Sequence, residues 1–186
     1  MAGRGAETEE ERCALHRRYL AVEQACRAGD VDALRIALGD PEGFPTALLD
    51  VDFMACGDRP LDIAMVEGPL SLIEKLLDLG ADPNAPALDG FPPLLLAIDL
   101  QREDRHAVLA LLLARGGDPA QRGINDWTPL HHAVARRDLD AVRLLLAHGA
   151  DPRVRTRIDE LTTPLEDAEA AGFIEAARLM REAIGG

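Results

Sequence analysis

Aromatic residues are scarce in this 186-residue chain, which has one Trp, one Tyr and four Phe, or 3% in total. Hydrophobic residues still make up 47%, so a core must be built mainly from Leu, Ala, Ile and Val. No apolar run approaches the about 18 residues that a membrane-spanning helix requires. The Gly-rich and then acidic N-terminus also lacks the apolar stretch of a secretion signal. We therefore expect a chain that neither spans a membrane nor is secreted.

Cysteine and lysine are also rare. Cys13, Cys26 and Cys56 are odd in number and lack the spacing of a metal site, so we expect reduced thiols and a cytoplasmic location. Lys75 is the single lysine among 20 basic residues, a bias typical of GC-rich genomes that favours a bacterial source. A Gly-rich phosphate loop and a nucleophile elbow are both missing, which leaves no sequence signature of an active site.

The net charge of the chain is −13, with 33 acidic and 20 basic residues. Binding to nucleic acid depends largely on a basic surface, so this balance argues against such a partner. An acidic surface can steer a basic protein towards it. The alternative is that the charge serves only solubility, and the composition does not separate the two.

The stretch from Trp127 to Ala133 predicts the start of a helix. Thr128 can cap it because its hydroxyl can accept an otherwise unpaired backbone N–H, and Pro129 suits a first turn that needs no N–H donor. Four matching start motifs are present: Arg59-Pro60-Leu61, Pro92-Pro93-Leu94, Thr128-Pro129-Leu130 and Thr163-Pro164-Leu165. An alanine follows at the same distance in each, at Ala64, Ala97, Ala133 and Ala168.

A second motif predicts where a following helix ends. Leu144-Leu145-Leu146 is typical of a buried helix face, and Gly149 can adopt the left-handed conformation that terminates a helix. Three copies of this end motif lie 36 and then 33 positions apart: Gly80-Ala81-Asp82-Pro83, Gly116-Gly117-Asp118-Pro119 and Gly149-Ala150-Asp151-Pro152. Each unit therefore consists of two short helices, and the unit repeats.

On this period and these start motifs, the chain resembles the ankyrin-repeat family over nearly its whole length. The resemblance implies an all-α solenoid of about five helix-turn-helix units with short β-hairpin tips and atypical capping units at both ends. We expect an acidic, disordered tail over residues 1–12 and an ankyrin-repeat domain over 13–186. The expected repeats are about 13–50, 55–86, 87–121, 122–157 and 158–186.

The chain departs from the family pattern at identifiable places. Arg59 and Pro92 replace the Thr of the start motif, so two units should lack a hydroxyl cap. The connection Gly39–Asp58 is longer than usual, and the alignment requires three extra residues near Arg102–Arg105. We expect this insertion to lie in a turn between two helices.

Few side chains suggest chemistry. His131 and His132 could begin a metal or acid–base site, but a zinc site needs three or four convergent ligands and adjacent helical residues point about 100° apart. The resemblance instead implies a structural role for His131. Cys56 has no base at a recognisable spacing, so a nucleophilic role is not expected. We predict no enzyme activity, no cofactor and no bound metal.

Members of the family usually bind partners through the tips and first helices. Phe91 and Trp127 stand at equivalent tip positions of neighbouring units, and aromatic side chains dominate interface energetics. The alternative is that each ring only covers its own hairpin. The predicted partner-binding residues are Phe91, Trp127, Leu88, Asp89, Ile124, Asn125, Asp99, Leu100, Arg136 and Glu67.

The sequence thus predicts a non-catalytic protein–protein interaction module that is monomeric alone and binds a partner protein on its concave face. One alternative is a dedicated regulator, inhibitor or immunity-type partner of a single enzyme or toxin. Another, from a different class, is a metal-dependent protein that uses His131 and His132.

Overall fold

A computed structural model describes residues 9–47, 59–86, 90–123, 126–158 and 161–185. Within these ranges helices are the only regular secondary structure, and the chain forms two compact units, Met1–Ala81 and Asp82–Gly186. The helices of the first unit are α1 (Glu9–Ala28), α2 (Val31–Ala37), α3 (Pro60–Glu67) and α4 (Leu70–Asp78). Those of the second are α5 (Pro93–Asp99), α6 (Arg105–Ala114), α7 (Pro129–Ala135), α8 (Leu139–Ala147), α9 (Pro164–Ala170) and α10 (Ile174–Gly185).

The helices pair as the repeated motifs predict. In the first unit, α1 packs against α2 and α3 packs against α4, and the two first helices also contact each other. In the second unit, α5, α7 and α9 contact one another in sequence, and α6, α8 and α10 form a parallel row. These contacts confirm the predicted all-α repeat fold. The β-hairpin tips stay a prediction, because they fall largely outside the described residues.

The helix starts follow from the local sequence. Pro occupies the first turn of α3, α5, α7 and α9. Thr163 caps α9, and its backbone N–H donates in turn to Glu166, which completes a capping box. Arg59 and Pro92 provide no side-chain cap for α3 and α5, as predicted.

In three repeats the turn between the two helices contains one residue with positive φ. Gly29, Arg137 and Gly172 occupy this position with φ of 64°, 55° and 62°. The following residue donates its N–H to the carbonyl of Ala25, Ala133 or Ala168, respectively. This shared geometry makes Gly29, Arg137 and Gly172 equivalent positions of their repeats.

The inserted residues lie between α5 and α6. Residues 100–104 connect these helices, whereas three residues, 136–138 and 171–173, suffice in the next two repeats. The longer connection brings Arg105 and His106, at the start of α6, to Asp138, at the start of α8.

Asp138 is a buried N-cap that joins two repeats. Its carboxylate accepts the N–H of Ala141 at 3.0 Å, Arg105 Nη2 at 2.9 Å and His106 Nε2 at 2.8 Å. Burial raises the pKa of Asp138, but these hydrogen bonds outweigh burial, so the pKa lies below its ordinary value. The ionised carboxylate therefore stabilises both the start of α8 and its contact with α6.

Among the described residues, the core is mainly apolar and contains no Phe, Tyr or Trp side chain. Its largest fully buried side chains are Leu34, Ile63, Met65, Leu72, Ile73, Leu76, Leu94, Leu109, Leu112, Leu130, Leu145 and Met180. At the end of α10, Arg178, Arg181 and Glu182 are exposed and take part in ion pairs. This polar surface agrees with the predicted capping role of the last repeat.

Two expectations differ from the structure or lie outside it. Residues 9–12, which we expected in the disordered tail, are helical and belong to α1, since Glu is a good helix former. Of the long Gly39–Asp58 connection, residues 48–58 lie outside the described ones, and Cys56 is among them.

Candidate protein-binding site

In the second unit, the residue three positions before each first helix adopts the same type of backbone conformation. Gly90, Asp126 and Leu161 adopt positive φ of 78°, 59° and 55°. The residues that follow them are Phe91, Trp127 and Thr162, so the predicted equivalence of Phe91 and Trp127 rests on a shared turn geometry. Gly adopts this conformation without strain, whereas a non-Gly residue does so at a cost.

Asp126 fixes the turn that carries Trp127. Its carboxylate accepts hydrogen bonds from Arg122 at 2.5 Å and from the side chain of Arg157 at 2.6 Å. The hydrogen bond from Arg157, which outweighs burial, lowers the pKa of Asp126 to about 2. The N–H of Gly123 donates to the Trp127 carbonyl at 2.9 Å and closes the turn. Hydrogen bonds within the chain thus hold Asp126 and the backbone of Trp127.

Phe91 and Trp127 both contact the ring of His132. The Phe91 and His132 centroids lie 5.8 Å apart with an interplanar angle of 82°, and the Trp127 and His132 centroids lie 6.2 Å apart at 59°. Both aromatic side chains are partly buried. They border a pocket of about 480 Å³ that we call the Phe91–Trp127 pocket, lined chiefly by Phe91, Leu95, Asp99, Trp127, His132 and Arg136.

The polar side of this pocket is an ion-pair cluster. Arg136 Nη2 donates to Asp99 Oδ2 at 2.9 Å, and Arg136 Nε lies 2.6 Å from Asp99 Oδ1. His132 Nε2 is 3.0 Å from the same Oδ1. This short distance does not amount to a directed hydrogen bond, because both buried atoms lack a partner with hydrogen-bonding geometry. Arg136 therefore holds both oxygens of the Asp99 carboxylate in an ion pair, with His132 close to one of them.

His131 faces the other neighbouring repeat. Its Nδ1 accepts the N–H of Thr128 at 3.2 Å, so the proton resides on Nε2, which donates to the Thr162 carbonyl at 3.2 Å. Burial is the main reason that the pKa of His131 lies below 6.5. On this side Trp127 borders a second pocket of about 610 Å³. His131 thus has the structural role that the sequence predicted.

The structure brings together four of the predicted binding residues, namely Phe91, Trp127, Asp99 and Arg136, around one pocket. Leu100 is 6% exposed and offers little contact surface. Glu67 ends α3 in the first unit. The other predicted residues, Leu88, Asp89, Ile124 and Asn125, lie outside the described ones.

Sequence reasoning missed the part that His132 plays in this site. His132 and Arg136 are four residues apart, a spacing that puts two side chains on the same face of a helix. This spacing was the sequence signal that could have linked His132 to Arg136. In the structure both side chains contact Asp99 of the preceding repeat. Because Phe91 contacts a ring of the following repeat, it does more than cover its own hairpin.

The described residues contain neither a metal-ligand cluster nor a membrane-spanning helix. No three His, Cys, Asp or Glu side chains among them converge as metal ligands. Both ring nitrogens of His131 form hydrogen bonds, with Thr128 and with Thr162. His131 therefore has no free nitrogen for the metal site that was considered as an alternative. No described helix combines the length and apolar character needed to cross a membrane.

Comparison with known proteins identifies the family. The model for "Ankyrin repeats (3 copies)" matches residues 89–185, just over half of the chain. The chain belongs to the ankyrin-repeat family. Ankyrin repeats are in general non-enzymatic modules for protein–protein interaction.

Several characterised or named proteins contain similar ankyrin repeats. An ankyrin repeat-containing protein of Treponema pallidum (strain Nichols) is 33% identical over 70% of the chain, which spans 41% of that protein. A protein of Arabidopsis thaliana named as an E3 ubiquitin-protein ligase, XBAT35, is 35% identical over 84% of the chain and 27% of its own length. Ankyrin repeat protein nuc-2 of Neurospora crassa is 32% identical over 67% of the chain and 11% of its own length. The chain therefore spans less than half of each relative.

Proposed function

We propose that the chain binds a partner protein through the tips and first helices of the second unit, with Phe91 and Trp127 as the central contacts. The observation that carries this proposal is the placement of two of the chain's six aromatic residues around one pocket. Both belong to adjacent repeats and leave part of their surface to solvent.

The energetics of interfaces support this choice. Trp and other large side chains in pockets supply much of the binding free energy of protein complexes, and an interface core is enriched in aromatic residues. Elsewhere in the described part of the second unit, the exposed large apolar side chains are aliphatic, such as Ile158, Leu161 and Ile174.

The hydrogen bonds around Asp126 and Trp127 also support the proposal. The carboxylate of Asp126 is bound by Arg122 and Arg157, and the backbone of the turn is closed between Gly123 and Trp127. A surface that is ordered before binding loses little conformational entropy when a partner docks. The Trp127 ring is therefore suited to act as a preformed contact.

The test is affinity capture of partners from the source organism, followed by mass spectrometry. We expect Trp127→Ala and Phe91→Ala to lose the partner that the unaltered chain retains. Ile174→Ala is the matched control, because Ile174 is 79% exposed and lines neither aromatic pocket. Trp127→Leu, which keeps apolar volume against His132, separates a loss of binding from a loss of folding.

Thermal unfolding of each variant is measured beside the capture. Full retention of the partner by both alanine variants, with folding intact, would refute the site. Equal loss in Ile174→Ala would show that the binding surface lies elsewhere.

A further inference from the structure

The Phe91–Trp127 pocket combines aromatic rings with a carboxylate that is only partly exposed. The side chain of Asp99 is 23% exposed, and its Oδ1 is buried without a directed hydrogen bond. A carboxylate in such surroundings favours a cationic hydrogen-bond donor. The rings beside it favour the same charge, because the face of an aromatic ring attracts a cation.

A guanidinium group already occupies this carboxylate. Arg136 approaches both oxygens of Asp99, through Nε and Nη2. The Arg136 side chain is 57% exposed, and an ion pair with that much exposure contributes little to stability. Another guanidinium could therefore replace Arg136 with almost no change in the charge balance of the site.

We infer that the pocket binds an arginine side chain of the partner protein, which displaces Arg136 from Asp99 and stacks against Phe91 and Trp127. This inference rests on the proposed function and names the chemistry of its central contact. Arginine fits better than lysine because its planar group can pair with both carboxylate oxygens and also stack on a ring. The net charge of −13 favours the approach of a basic partner.

An acidic side chain of a partner would bind less favourably in this pocket. It would need Arg136, which is committed to Asp99, and it would stand beside the Asp99 carboxylate. The two possibilities predict opposite effects of removing Arg136. Loss of Arg136 strengthens the binding of arginine by removing a competitor, whereas it weakens the binding of an acid by removing a positive charge.

The probe is a blocked Gly-Arg-Gly peptide, titrated into the full chain over the millimolar range. Trp127 is the only tryptophan of the chain, so its fluorescence reports on the two pockets that it borders, and the Asp99→Asn variant assigns a response to the Phe91–Trp127 pocket. Blocked peptides with citrulline, lysine or glutamate in place of arginine are titrated in parallel. Citrulline keeps the shape of arginine without its charge.

We expect a saturable fluorescence change with the arginine peptide, and tenfold or more weaker responses with the citrulline and glutamate peptides. Asp99→Asn should weaken arginine binding about tenfold or more, since it removes a charged hydrogen-bond acceptor. Arg136→Ala should strengthen it about two- to fivefold, the range that an exposed ion pair spans. Asp140→Asn and Arg143→Ala, which break an exposed ion pair on α8, are the matched controls and should change nothing.

The inference is overturned by any of four results: no saturable response to arginine, equal binding of citrulline, equal binding of lysine, or loss of binding in Arg136→Ala. Circular dichroism melts of the variants show whether each remains folded. The proposed function is judged separately. If Trp127→Ala and Phe91→Ala lose the captured partner while the arginine peptide fails, the binding surface stands and only its arginine specificity falls.

Discussion

Replacing Asp138 with alanine removes two functions of one buried carboxylate. Asp138 caps α8 through the N–H of Ala141 and also binds Arg105 and His106 of the preceding repeat. The side chain of Asp138 is 6% exposed, so water replaces little of what it provides. Among single substitutions that remove a charged side chain between α6 and α8, we expect Asp138→Ala to lower the free energy of unfolding the most.

The size of the effect follows from the two contributions. Loss of an N-cap costs about 1 kcal/mol. Hydrogen bonds to charged groups contribute about 1.5–3 kcal/mol, but the Arg105 side chain is 37% exposed and recovers part of this from solvent. The free energy of unfolding should therefore fall by about 2–3 kcal/mol in total.

Urea unfolding followed by circular dichroism measures this change. Asp30→Ala is the control, because Asp30 caps α2 through the N–H of Ala33 from an exposed position, and it should cost about 1 kcal/mol. Asp138→Asn, which keeps an acceptor for the cap, should fall between the two. If Asp138→Ala costs no more than Asp30→Ala, Arg105 and His106 contribute nothing and the reasoning is wrong.

Two further predictions concern single residues. Leu161→Asn should stabilise the chain by about 0.5–1 kcal/mol, because Asn tolerates positive φ better than Leu. Ile158→Asn, at a similarly exposed residue without positive φ, should not stabilise in the same urea assay. The free energy of unfolding should fall less in His131→Gln than in the wild type when the pH is lowered from about 7.5 to 5.5. Burial lowers the folded-state pKa of His131 below 6.5, so the unfolded chain takes up a proton first and wild-type stability falls as pH falls. Parallel stability–pH curves for wild type and His131→Gln would contradict this.

The repeat pattern was predictable because its signals are local. Pro at a helix start and Gly after a helix end act through the backbone of their own segment, so Pro93, Pro129, Gly116 and Gly149 mark the helices correctly. The count between successive end motifs also located the insertion near Arg105.

The polar half of the site was not predictable in the same way. The contacts of Asp99 with His132 and Arg136 join helices of successive repeats, and they depend on how far each helix is rotated about its axis. Repeat spacing sets which residues are equivalent, but not which side chains meet. The positive φ of Leu161 was hidden for another reason, since Leu carries no preference for that conformation.

The consecutive histidines of α7 have a mechanical consequence. The helix is only seven residues long, and His131 is held by the Thr162 carbonyl on one side while His132 stands against Asp99 on the other. Turning α7 about its axis to shorten one contact must lengthen the other. A displacement of Phe91 should therefore shift this short helix and its contact with Thr162. The two pockets that Trp127 borders should then change shape together.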